Sequence, residues 1–216
     1  MAEPDNATAT IAPAAIEQRQ RHVTAPPNVP PPPIVPPRSI VLVGLMGAGK
    51  SAIGKRLAQR LGLPFVDADH EIEQAAGCTI EEFFARHGEA AFREGERRVM
   101  ARLLDQPRQV LATGGGAFMD PATRALVRAK AISVWLRADL LVLLDRVLRR
   151  SNRPLLKQGD PREVLERLIA LRYPVYAEAD VAVDSRDVPV DRTTQDVIDA
   201  LRQFIDSQPQ QWAATS

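Results

Sequence analysis

Gly44-Leu45-Met46-Gly47-Ala48-Gly49-Lys50-Ser51 has the spacing G-x-x-x-x-G-K-[ST], and its flanks decide what the rest of the chain must be. The apolar run Ile40 to Val43 precedes it, and Lys50 to Leu61 follows with apolar residues at helical spacing up to Gly62. A strand that feeds a glycine loop and then a helix is suited to cradling phosphate. The glycines let backbone amides converge on phosphate oxygens, and the helix N-terminus adds a favourable dipole. In that setting Gly47, Ala48, Gly49, Lys50, Ser51 and Ala52 are candidate nucleotide-binding residues. Lys50 is expected to reach the outer phosphates of ATP and stabilise charge during transfer, and the Ser51 hydroxyl to ligate magnesium (Mg2+). The plainer alternative, a glycine-rich turn that binds nothing, does not need these flanks.

Working outward, Phe65 to Asp67 reads as a second strand, followed by helical stretches at Asp69 to Ala76, Thr79 to Arg86 and Glu89 to Leu104. Thr79 and Glu82 have the spacing of a capping box. Val110 to Ala112 reads as a third strand running into Gly114-Gly115-Gly116, Pro121 opens a helix, and Ile132 to Leu136 reads as a fourth strand. A helix over Leu140 to Arg150, a loop over Ser151 to Gly159, and a helix from Pro161 to Arg172 or beyond come next. Val181 to Val183 and Thr194 to Ile205 are the last strand and helix. Short apolar runs alternating with helical periodicities predict an α/β fold: a P-loop NTPase-type three-layer sandwich around a five-stranded parallel sheet. Ser151 to Gly159, a Gly- and Pro-punctuated loop that carries Arg153, is suited to a mobile lid.

Composition sets the outer bounds. Residues 1–38 are rich in proline and polar residues and predict a disordered arm, 39–206 one domain, and 207–216 a flexible tail. With 45% hydrophobic and 25% charged residues, the domain can fill an ordinary globular core. Lys plus Arg number 28 against 27 Asp plus Glu, which argues against a protein whose business is neutralising nucleic acid. No apolar run approaches the roughly 20 residues that span a bilayer, so no membrane partner is expected. The lone Cys78 fits a reducing compartment, the N-terminus lacks the blocks of a secretory signal, and a cytoplasmic monomer is the default expectation. His22, His70 and His87 lack ligand spacing, and Trp135 is expected in the core. Without an Asn-Lys-x-Asp sequence, and with a chain short for a motor, small-molecule phosphotransfer remains.

Asp67 and Asp69 lie at the carboxyl end of the second strand, where open parallel sheets gather their ligands. If the strand persists, alternation points both side chains the same way, one toward a metal and one toward a substrate hydroxyl. A helix N-cap is an equal alternative for such a pair. Glu96, three residues after Arg93, is spaced to hold its guanidinium, unless it forms an ordinary surface ion pair.

Several separated stretches resemble the shikimate kinases: Gly44 to Ser51, Phe65-Val66-Asp67-Ala68-Asp69 with Ile72-Glu73, and Gly88-Glu89 with Phe92-Arg93. Gly114-Gly115-Gly116, Arg153-Pro154-Leu155-Leu156, and Arg172 with Tyr176 continue the same order and approximate spacing. The resemblance spans about residues 39–205. It implies transfer of the ATP γ-phosphoryl group to the 3-hydroxyl of shikimate, in the route to chorismate and the aromatic amino acids. It implies a helical substrate-binding segment over Asp69 to Leu104. It further implies that Asp69 binds the shikimate hydroxyls and orients or deprotonates the attacking one, while Asp67 helps hold Mg2+. Arg93 and Arg172 would grip the carboxylate, the Gly114 to Gly116 backbone would close on the ring, and Arg153 would reach the ATP phosphates as a catalytic group. Arg146 and Arg186 would lie at the adenine end; for Arg146 the alternative is a solvated basic face shared with Arg149 and Arg150. A kinase for another small acid such as gluconate, or for a nucleotide, is the rival enzyme, and an ATP-binding regulatory relative the rival of another class.

Overall fold

The computed structural model describes residues 34–149 and 159–208. The expected arm up to residue 33, Arg150, the loop at 151–158 with Arg153, and the tail at 209–216 lie outside the described residues.

Five parallel strands form one sheet: β1 (Ser39–Val43), β2 (Phe65–Asp67), β3 (Val110–Ala112), β4 (Ala131–Arg137) and β5 (Val181–Asp184). Their order is β2-β3-β1-β4-β5, with Leu42 opposite Ala112 on one side and Val134 on the other. Every residue of β1 is buried. A strand covered on both faces has no reason to alternate, which is why its sequence is a nearly unbroken apolar run. β5, at the edge, does alternate: Val181 and Val183 are buried, Ala182 and Asp184 exposed.

The connections carry the helices α1 (Lys50–Leu61), α2 (Ala68–Ala76), α3 (Ile80–Leu104), α4 (Pro121–Lys130), α5 (Leu140–Leu148), α6 (Pro161–Tyr176) and α7 (Val190–Ser207). A single 3-10 turn, Ala117–Met119, follows the triple glycine. Among the described residues no helix is long and apolar enough to cross a membrane.

The local signals act as expected at most boundaries. The Thr79 hydroxyl accepts the Glu82 amide at 3.2 Å and the Glu82 carboxylate accepts the Thr79 amide at 2.9 Å, so the capping box starts α3. The two helical stretches foreseen before and after Gly88 are one element interrupted at that residue, which has φ 77° and ψ 176°. That left-handed φ is open to glycine at little cost.

The second strand ends at Asp67 as expected, and the condition that would point Asp67 and Asp69 the same way is not met: the Asp67 carboxylate accepts the Asp69 amide at 3.2 Å and caps α2. The capping preference of Asp wins over continued pairing. The last helix starts at Val190, directly after Pro189, and not at Thr194. Val190, Asp191 and Arg192 are exposed and the buried residue after them is the polar Thr193, so no apolar periodicity announces the first turn.

Candidate active site

The loops at the carboxyl ends of the strands surround a cleft of about 1450 Å³, where open parallel sheets bind ligands. At one end is the glycine loop. Gly47 and Gly49 have φ of 83° and 92°, which lets the loop curl before α1 begins at Lys50. The Lys50 ammonium donates to the Gly44 and Leu45 carbonyls at 2.8 and 3.0 Å, folded over its own loop. The Ser51 hydroxyl donates to Asp67 at 2.7 Å, so the cap of α2 and the start of α1 meet at one pair of oxygens. Ala52 lines the cleft, whereas Ala48 is buried and its amide already donates to the Leu45 carbonyl at 3.1 Å.

Arg146 stands against this loop. Its guanidinium donates to the Gly47 carbonyl at 3.2 Å, the Ser185 hydroxyl at 2.9 Å and the Arg186 carbonyl. The solvated-face alternative therefore fails for Arg146. Arg149 fits it better, exposed and 3.0 Å from Asp145, although it borders the cleft. Arg186 contributes its carbonyl; its side chain is 68% exposed, 3.9 Å from Asp196, and does not line the cleft.

At the other end the site is made of side chains. Asp69, in the first turn of α2, has its carboxyl pushed up from 3.8 to about 6. Burial is the main cause; Lys50 opposes it, and the neighbouring Asp67, Glu96 and Glu73 carboxylates reinforce it. Arg93 donates to Glu96 at 2.7 Å and to Glu89 at 3.3 Å. Glu96 is only 3% exposed, so its pairing with Arg93 is no ordinary surface contact. Burial pushes the Glu96 carboxyl up while Arg93 pulls it down, and the balance lies upward. Arg172 donates to the Gly115 carbonyl at 2.8 Å, and its Nε is buried with no hydrogen-bond partner among the described residues.

The triple glycine is explained by close approach. A Cβ on Gly114 would lie 2.5 Å from an Asp69 carboxylate oxygen, one on Gly115 3.3 Å from Arg172, and one on Gly116 2.6 Å from Arg93. Each glycine thus makes room for a different charged side chain.

The structure brings Lys50, Ser51, Asp67, Asp69, Arg93, Gly114 to Gly116, Arg146 and Arg172 to one cleft. It leaves the side chains of Ala48 and Arg186 out of it, and Arg153 lies outside the described residues. Sequence reasoning assigned no site role to Glu73, Phe84, Thr113 and Ser185, which also line it. Glu73 accepts the Ile80 amide at 3.0 Å and ties α2 to the start of α3. No local pattern signals that closure over seven residues, although the Ile72-Glu73 pair belongs to the quoted resemblance. Trp135 is in the core as expected, with its ring 5.0 Å from that of Tyr173.

Comparison with known proteins agrees with this geometry. The family described as Shikimate kinase matches residues 46–202. A shikimate kinase of Paramagnetospirillum magneticum is 62% identical over 169 residues, covering 78% of this chain and 87% of that protein. One from Bradyrhizobium diazoefficiens is 60% identical over 165 residues, covering 76% of this chain and 80% of that protein. Among solved structures, the shikimate kinase from Acinetobacter baumannii in complex with shikimate superposes with a TM-score of 0.72 at 36% identity, covering 82% of this chain and 97% of that one. With the glycine loop from Met46 to Ser51, the paired aspartates, the arginines and the triple glycine inside the matched span, this chain belongs to the shikimate kinase family.

Proposed function

We propose that the chain transfers the γ-phosphoryl group of ATP to the 3-hydroxyl of shikimate, giving shikimate 3-phosphate and ADP on the route to chorismate and the aromatic amino acids. The observation that carries this reading is the single cleft in which a phosphate-cradling loop faces one carboxylate, Asp69, and two guanidinium groups, Arg93 and Arg172. A small carboxylated polyol needs a guanidinium fork for its acid and an acceptor for its reacting hydroxyl.

In the proposed reaction the 3-hydroxyl oxygen forms a bond to the γ-phosphorus and the bond to the ADP oxygen breaks. Asp69 accepts the hydrogen bond of the attacking hydroxyl and is the route for its proton. A carboxyl raised to about 6 is a better base near neutral pH than an ordinary Asp while still ionised there. Lys50 exchanges its loop carbonyls for phosphate oxygens, and Arg146 borders the nucleotide end. Arg153 would enter from the loop at 151–158 to the phosphates. Ser51 and Asp67 present only oxygen, the donor type magnesium takes together with waters and phosphate oxygens, so the pair fits that ion. When bound, it would neutralise charge on the phosphate oxygens. We assign the protein to the cytoplasm as a monomer that binds neither nucleic acid nor membrane.

The test is ADP release by the full chain with ATP, magnesium and a panel of acceptors: shikimate, gluconate and nucleoside monophosphates. Shikimate should exceed every other acceptor by at least about tenfold, a gap that one unsatisfied polar group in a tailored pocket can create. A better acceptor would overturn the substrate, and tight binding of shikimate and ATP without turnover would mark a silent relative.

A further inference from the structure

Tyr176 is fully buried, yet it carries a polar group. Its ring packs among Trp135, Phe118 and Tyr173, with centroids 6.2, 6.5 and 6.3 Å away, an apolar setting that a phenylalanine would fill equally well. The hydroxyl is therefore not needed for packing. It donates to the Gly115 carbonyl, the same oxygen that takes Arg172 at 2.8 Å. A carbonyl has two lone pairs, so the two donors occupy both. Arg172 and Tyr176 reach one acceptor because residues four apart lie on one helix face, here on the last turns of α6.

That carbonyl is the pivot of the acid-binding end. With its oxygen held, the planar peptide that follows is fixed and the Gly116 amide is turned the opposite way. A Cβ on Gly116 would lie 2.6 Å from the Arg93 guanidinium, which leaves it no room, and one on Gly115 would crowd Arg172 at 3.3 Å. The loop is thus the spacer between the two guanidinium groups, and a tilt of its peptide moves both. Burial pushes the Tyr176 phenol up, so it stays a donor across the pH range of an assay.

We propose that Tyr176 is a positioning residue for the acceptor substrate: its hydroxyl locks the Gly115 carbonyl and so holds Arg93 and Arg172 at the separation that grips a carboxylate. This rests on the acceptor reading given under Proposed function, but not on the identity of the acid.

The test compares Tyr176→Phe with Tyr173→Phe in the full chain, since the Tyr173 hydroxyl donates to the Ala138 carbonyl and not to the glycine loop. Tyr176→Phe should raise KM for shikimate about 5- to 20-fold, the effect of one lost hydrogen bond to a shared acceptor, with KM for ATP within about twofold. Tyr173→Phe should leave both KM values near wild type. Equal rises in both KM values for Tyr176→Phe, or an unchanged shikimate KM, would overturn the proposal. Wild-type turnover is measured first; if another carboxylated acceptor proves to be the substrate, the same ratio is taken with that acid, so the two readings fail separately. Should Tyr176→Phe not fold, or the wild type not turn over, wild-type protein carrying 3-fluorotyrosine gives a 19F resonance for Tyr176, assigned by its persistence in Tyr173→Phe. Its movement on adding shikimate, and not on adding ATP alone, supports the role; no movement with shikimate refutes it.

Discussion

The two ends of the cleft are built on different principles. The end at the glycine loop is built mainly from one continuous stretch, Gly44 to Ser51, with three glycines of positive φ and a helix start, and Arg146 stands against it. The acceptor end draws Asp69 from α2, Arg93 and Glu96 from α3, three glycines from the loop after β3, and Arg172 and Tyr176 from α6. The first can be assembled locally; the second exists only when distant elements dock. It also collects buried charge: burial, and after it three neighbouring carboxylates, push Asp69 up, and burial pushes Glu96 up. A backbone site tolerates changes of side chain, whereas a site of packed charges responds to single atoms.

The largest effect should come from Asp69→Asn, which keeps the shape and removes the acceptor for the proton. Turnover with shikimate should fall about 10²- to 10⁴-fold, with ATP affinity by calorimetry near wild type. Parallel loss of ATP binding would erase the division between the two ends. Next, Gly116→Ala puts a methyl within 2.6–2.8 Å of three Arg93 guanidinium atoms. Its kcat/KM for shikimate should drop about 10²-fold through misplacement alone, with little change in KM for ATP.

A smaller effect lies in stability. Asp69 is raised from 3.8 to about 6 in the fold, so the folded state holds more protons than the unfolded chain between those values. Stability present at low pH is lost as pH rises through that window. Above it, ligand-free Asp69→Asn should be more stable than wild type by about 1–3 kcal/mol, a gain that vanishes toward pH 4 in urea titrations. In the same window the activity for shikimate should rise with pH as the carboxyl ionises. A constant stability difference across pH would mean that Asp69 carries no buried charge.

The smallest effect is a control placed beside the acceptor end. Gly95 is helical and a Cβ there meets nothing within 4 Å. Gly95→Ala should raise stability by about 0.5–1 kcal/mol and leave both KM values alone. A change in KM for shikimate would show that the helix carrying Arg93 and Glu96 senses any substitution, and the sharp selectivity argued for Gly116 would lose its meaning.

The same contrast governs what could be read before folding. The glycine loop was legible because pattern, strand and helix are neighbours in the chain. The Arg93–Glu96 pair was legible as a spacing, but its burial depends on docking against the glycine loop. Gly114 to Gly116 carried no mechanism of their own until three charged groups from three helices were seen against them. Asp67 takes the plainer alternative, capping α2 with one oxygen while the other accepts from Ser51. Arg186 lies one residue past the useful position: Ser185 turns inward to Arg146 while Arg186 turns out to solvent. The Tyr176 hydrogen bond spans 61 residues, and no periodicity in the sequence encodes it.

Gly88 gives α3 a further meaning. The stretch before it is tied to α2 through the Glu73 carboxylate and packs the Phe83 and Phe84 rings on Phe92, whereas the stretch after it is anchored in the core by Phe92, Met100 and Leu103. An unbroken helix would act as a rigid lever and carry every excursion of its outer arm straight to Arg93. One missing side chain breaks the helix between them, and the Phe84 ring, 4.4 Å from that of Phe92, keeps the outer arm in touch with the segment that carries Arg93.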